Sequence, residues 1–128
     1  MSVFLPDNPA LAAQLEAGNK LLTVCYCAAW CDTCKQYLPK LQELAAKQPD
    51  VVFVWVDIED YPEFLDDQDV ENFPTILLEK EGKPLFFGTI LPHIGQLERL
   101  IEAMADKDDP FEGDSPENVR ALLLEALG

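Results

Sequence analysis

Positive charge is scarce in this chain. Nine lysines and arginines stand against 24 aspartates and glutamates in 128 residues, a formal net charge of −15. Nucleic acid and anionic membrane surfaces would repel such a surface, so neither is expected as a partner. The acidic excess reads most simply as a solvated face. Histidine is nearly missing too: His93 is the only one, in a loop where it is expected to be exposed and inert. No Ser-His-Asp set, P-loop or dinucleotide-binding glycine motif is present. No apolar run is long enough to cross a bilayer. Met1 to Asn8 has no basic residue and no long apolar stretch, so no secretory signal is expected and a cytoplasmic location is the default. There is no internal repeat and no low-complexity tract.

What the chain does have is apolar content, 48% of its residues, enough for one domain with a real core. Asp7-Asn8-Pro9 starts a helix with a capping side chain and a proline at the first helical position, and Gly18 stops it. Val3-Phe4-Leu5 is a candidate edge strand. Leu21 to Cys27 reads as a strand, 34–47 as a helix, and Val51 to Ile58 as a central strand buried on both faces. Pro39 lies inside the helix and should kink it. An acidic stretch, 61–72, is expected to form a short surface helix. Thr75 to Lys80 and Pro84 to Gly88 form a hairpin around Glu81-Gly82-Lys83. Gln96 to Ala105 is helical, with Leu97, Leu100, Ile101 and Met104 on one face. After a charged linker, Ser115 and Pro116 open a final helix whose apolar stripe is Val119, Leu122, Leu123, Ala126 and Leu127. That stripe is expected to pack back on the same domain. The division is therefore 1–106 for the domain and 107–128 for linker and helix. A parallel pair joined by a crossover helix, plus an antiparallel pair, makes an α/β fold: a mixed central sheet covered on both faces.

The chemistry concentrates in Trp30-Cys31-Asp32-Thr33-Cys34-Lys35, where a strand hands over to a helix. A helix N-terminus presents unpaired N–H groups and partial positive charge, which stabilises a thiolate. Cys31 at that exposed end is the candidate nucleophile toward a substrate disulfide. Cys34, one turn inward and more sheltered, is the candidate resolving thiol. The spacing allows the two sulfurs to close a disulfide across the first turn. Two buried thiols, or half a zinc site, are the plainer readings of a C-x-x-C. Zinc would ask for a second C-x-x-C, which the chain lacks.

Cys25 and Cys27 are alternate residues of one strand and share a face. About 6.6 Å of strand separates them, more than a disulfide prefers, so they should not bridge each other. The plain reading is two small buried apolar side chains. The sharper one is that one of them receives or relays oxidation from Cys34. Four thiols holding zinc or an iron–sulfur cluster is the least favoured reading, because the spacing is not that of either. No metal and no organic cofactor is expected.

Several of these residues together resemble the thioredoxin family: Trp30-Cys31-x-x-Cys34-Lys35, the kink proline Pro39, Phe73-Pro74-Thr75 before a strand, and Gly88 near a groove. The likeness spans roughly residues 8 to 105. It implies a thioredoxin-like fold with an extra C-terminal helix. It implies that Pro74 is cis and faces the cysteine pair, keeping a metal ligand away from Cys31, and that Phe73 offers backbone groups to an extended substrate segment. Trp30 belongs to the rim that substrate meets. Protein disulfides would be the substrates, a thioredoxin reductase or another dithiol the electron source, and a monomer the working form. No Gly-Gly pair follows Pro74-Thr75, so glutathione binding of the glutaredoxin kind is not favoured.

The departures from the family are equally specific. Asp32-Thr33 stands where thioredoxins have Gly-Pro, and the Asp32 charge should oppose a thiolate at Cys31. The family's buried aspartate is replaced by Cys25, and the lysine that accompanies it by Trp55, so the usual proton relay is missing. Asp57 and Glu59 are the nearest substitutes along the chain. The first reading is a thiol–disulfide oxidoreductase acting through Cys31 and Cys34. The alternative is a thioredoxin-fold adaptor or chaperone-like module whose cysteines regulate and turn over little.

Overall fold

In a computed structural model, the described residues are 3–5, 8–16, 21–28, 31–48, 51–61, 64, 75–80, 83–90, 93–105 and 119–127. Their elements run β1 (Val3–Phe4), α1 (Ala10–Glu16), β2 (Leu21–Cys27), α2 (Asp32–Lys47), β3 (Val51–Asp57), β4 (Thr75–Lys80), β5 (Lys83–Thr89), α3 (Ile94–Ala105) and α4 (Val119–Leu127). The strands form one sheet in the order β1-β3-β2-β4-β5. β1 and β2 both lie parallel to β3, while β4 is antiparallel to β2 and to β5.

The middle strand is β2, and β3, the run expected to be central, is interior as well, between β1 and β2, with Val52, Phe53, Val54 and Val56 buried. Every residue of β2 is buried, whereas β3 alternates in part and has only the two-residue β1 beyond it. A strand flanked by partners on both edges and helices on both faces has no side left for water, which suits its Leu-Leu-Thr-Val-Cys-Tyr-Cys composition.

Alternation along β2 sends its residues into two cores. Leu21, Cys25 and Cys27 face the side covered by α2 and α3, with Tyr37, Leu41, Leu44, Leu97 and Ile101. Leu22, Val24 and Tyr26 face the other side with Leu11 and Leu15 of α1 and Val119 and Leu123 of α4. α4 packs on α1, and its Val119 and Leu123 are buried there. Arg120 of α4 reaches across to the sheet. Its Nε donates to Glu79 Oε1 at 2.7 Å and its Nη1 to the Leu15 carbonyl at 2.9 Å.

Local signals explain the element starts. Asn8 Oδ1 accepts from the Ala10 N–H at 3.0 Å, the cap expected one residue before Pro9. Pro39 lies inside α2, which nevertheless runs for 16 residues. Pro84 sits near the start of the edge strand β5, where its missing N–H is tolerated. The caps expected at Ser115 and Pro116, the helix expected over most of 61–72, the Gly18 stop and the Glu81-Gly82 turn lie outside the described residues.

Candidate active site

The site forms where the central strand ends and α2 begins. The Cys31 N–H donates to the Ala28 carbonyl at 3.0 Å, closing a turn that carries the chain off the end of β2. Cys31 then occupies the N-cap of α2, with extended backbone angles (φ −88°, ψ 117°) and no side-chain capping bond. Its carbonyl accepts the first helical bond, from the Lys35 N–H at 3.2 Å. Asp32 is the acidic residue of the first turn, where the helix dipole favours it. The helix begins at Asp32, two residues before the expected 34, with Cys31 at the helix end where the sequence placed it.

Cys31 is half-buried, and Cys34, three residues on, is only 1% exposed. The third helical position turns its side chain toward the sheet, where the end of β2 presents Cys27. The two are disulfide-bonded, with Cα atoms 5.9 Å apart, inside the span that suits a disulfide. The bond available from the C-x-x-C spacing, Cys31 to Cys34, is not the one the structure contains. Cys31 and Cys25 carry free thiols. Cys25 and Cys27 do share a face and do not bridge, their sulfurs resting 3.9 Å apart. Four sulfurs thus run from helix mouth to core: Cys31, Cys34, Cys27, Cys25.

The environment of the inner end is apolar. Burial pushes the Cys25 thiol far up from its ordinary range. Tyr37 is pushed up as well, by burial first and by Cys25 second. Among the described residues no hydrogen-bond partner meets the Tyr37 hydroxyl, so it donates nothing to the sulfurs that an ordinary hydrogen bond would reveal. Cys25 registers with Trp55 on β3 and Ile76 on β4, in place of any charged pair. Trp55 is partly buried and packs against that core. Asp57 registers with Cys27, two residues beyond Trp55 and on the same face. Its Oδ1 accepts from the Glu59 N–H at 2.9 Å. Glu59 is exposed beyond the strand end, so of the two relay substitutes Asp57 stands nearer the sulfurs.

Among the described residues no cluster of metal-ligating side chains is formed. Trp30, Phe73 and Pro74, and with them the expected cis bond, lie outside the described residues. Thr75, next after Pro74, begins β4 beside Tyr26, one residue short of Cys27. Gly88 lies in β5 opposite Ile76, and His93 is exposed. Of the readings the sequence left open for Cys25 and Cys27, the structure selects the sharper one, and assigns the bond with Cys34 to Cys27.

Comparison with known proteins agrees with this architecture. The family model described as Thioredoxin matches residues 4–103. A putative thioredoxin H10 of Arabidopsis thaliana is 39% identical over 72 residues, covering 55% of this chain and 47% of that protein. A thioredoxin of Geodia cydonium is 36% identical over 70 residues, covering 55% of this chain and 66% of that one. The chain thus spans about half to two thirds of these relatives' lengths. The crystal structure of oxidised mitochondrial thioredoxin 3 from Saccharomyces cerevisiae superposes with a TM-score of 0.64 at 29% identity, covering 79% of this chain and 94% of that one.

Proposed function

The chain belongs to the thioredoxin family, and from that premise we propose that it is a thiol–disulfide oxidoreductase acting on protein disulfides. The observation that carries this reading is Cys31 at the N-cap of α2, half-buried, with Cys34 one turn inward. Cys31 attacks a substrate sulfur, and the substrate's other sulfur leaves as a thiolate. Cys34 then attacks Cys31 in the mixed disulfide, releasing the second substrate thiol. Helix N–H groups favour the anion at the cap. Trp30, Phe73 and Pro74 are assigned to the groove on the strength of the family resemblance. A thioredoxin reductase or another dithiol returns the electrons.

The proton that leaves Cys34 needs an acceptor, and Asp57 is the group proposed for it. It shares the face of Cys27 at the open end of β3. A cytoplasmic setting and a monomeric form belong to the same reading. Four cysteines confined to residues 25–34 suit a reducing compartment better than a framework of distant staples. Val119 and Leu123 of α4 are buried within the chain.

Reduction of insulin disulfides by dithiothreitol tests the reading. The reduced protein should accelerate insulin precipitation, and Cys31→Ser should return the rate to background. Equal rates for both forms and for buffer would favour the adaptor reading instead.

A further inference from the structure

We propose that Cys27 is a third redox cysteine, which takes Cys34 away from Cys31 and moves the disulfide formed in turnover into the core. The proposal rests on the reading of Cys31 and Cys34 as the exchanging pair. Its warrant is positional. Cys34 stands between two sulfurs: Cys31 one helical turn back, and Cys27 at the end of the central strand. The structure contains the bond to Cys27, at a Cα separation of 5.9 Å that needs no movement of strand or helix. Cys25, by contrast, reaches only contact distance of Cys27, at 3.9 Å.

The step is an isomerisation and consumes no oxidant. Turnover leaves a Cys31–Cys34 disulfide. Cys27 passes its proton to the carboxylate of Asp57, its register partner on β3, and attacks Cys34 Sγ; the Cys27–Cys34 bond forms as the Cys31–Cys34 bond breaks. Cys31 sulfur leaves with the electron pair of the broken bond and takes up a proton. The number of disulfides and of thiols is unchanged. In-line attack requires Cys27 to approach Cys34 Sγ from the side opposite the departing Cys31 sulfur.

The two isomers differ in access. Cys27 is 0% exposed and Cys34 1%, so a dithiol donor cannot reach the inner bond as it reaches one that includes half-buried Cys31. The inner isomer is a resting form: oxidised, slow to be reduced, with Cys31 free but lacking its resolving thiol. A substrate captured by Cys31 in this form would stay bound until Cys27 and Cys34 were reduced.

Peptide mapping of the full chain tests the proposal. The reduced protein is oxidised with diamide, its remaining thiols are capped with N-ethylmaleimide, and chymotrypsin cleaves after Tyr26, Trp30 and Tyr37. The inner isomer yields peptide 27–30 joined to peptide 31–37, with maleimide on Cys31. The outer isomer yields peptide 31–37 closed on itself, with maleimide on Cys27. The joined peptides are expected; the closed peptide as the sole disulfide product overturns the proposal. Cys31→Ser gives a second measurement without touching Cys27. Diamide should still remove two of its three remaining thiols, and retention of all three overturns the proposal. The insulin assay separates the two claims. Cys31→Ser with wild-type activity defeats the oxidoreductase roles whatever the peptide map, whereas lost activity with only closed peptides defeats the Cys27 step alone.

Discussion

Cys25 shows what burial does to a single ionisable side chain. Its thiol is held neutral far above the ordinary thiol range by desolvation, while in the unfolded chain it ionises near about 8.5. Below that pH both states carry the proton, and folding is indifferent to it. Above it the unfolded state releases a proton that the folded state keeps, so stability falls as pH rises, by at most about 1.4 kcal/mol per pH unit. Tyr26 and Tyr37, also pushed up by burial, add their own slope only above about pH 10. Urea unfolding of the disulfide form between pH 7.5 and 10 should show the decline. Cys25→Ala should flatten it between pH 8.5 and 10, and a decline of equal slope in both proteins would refute the assignment. The same burial explains why the residue at this position has no simple acid–base role: a group that cannot ionise cannot take a proton from Cys34.

At the level of elements, α4 is tied to the sheet by one ion pair as well as by Val119 and Leu123. Glu79 is 3% exposed within β4, a position where sequence alone shows only one acidic residue in an apolar strand. Arg120 supplies its cation from the far end of the chain. Arg120→Met should therefore destabilise the fold by about 3–5 kcal/mol, because a desolvated carboxylate loses its countercharge. The double substitution Glu79→Leu with Arg120→Met should recover most of that loss, since both charges leave together. Chemical denaturation of the wild type, Glu79→Leu alone, Arg120→Met alone and the double variant measures it, and two single-site losses that simply add would remove the ion pair from the account. Elements announced by periodicity or capping were legible beforehand: β2 over Leu21–Cys27 and β4 over Thr75–Lys80 match to the residue, and α1 starts where Asn8 and Pro9 place it. The partner of Glu79 was not legible, because 41 residues separate it from Arg120 and no local pattern couples them.

The whole molecule carries −15 charges over a single small surface. Mutual repulsion of that size opposes the compact state and weakens as salt screens it. The melting temperature should rise as sodium chloride increases from 10 to 500 mM, an interval over which the Debye length falls from about 30 Å to a few ångströms. A flat or falling profile in calorimetry would show that local ion pairs outweigh the net repulsion. Sequence determined on its own that this chain is an α/β domain with its C-x-x-C cysteines at a strand-to-helix junction. Hydrophobic period, caps and the C-x-x-C are all written within a dozen residues or less. The tertiary structure alone decided which strand lies in the middle, which cation meets Glu79, and which sulfur meets Cys34. Each of those depends on what sits across a sheet or behind a helix, and a distance through space of a few ångströms leaves no trace in the order of residues until packing closes it.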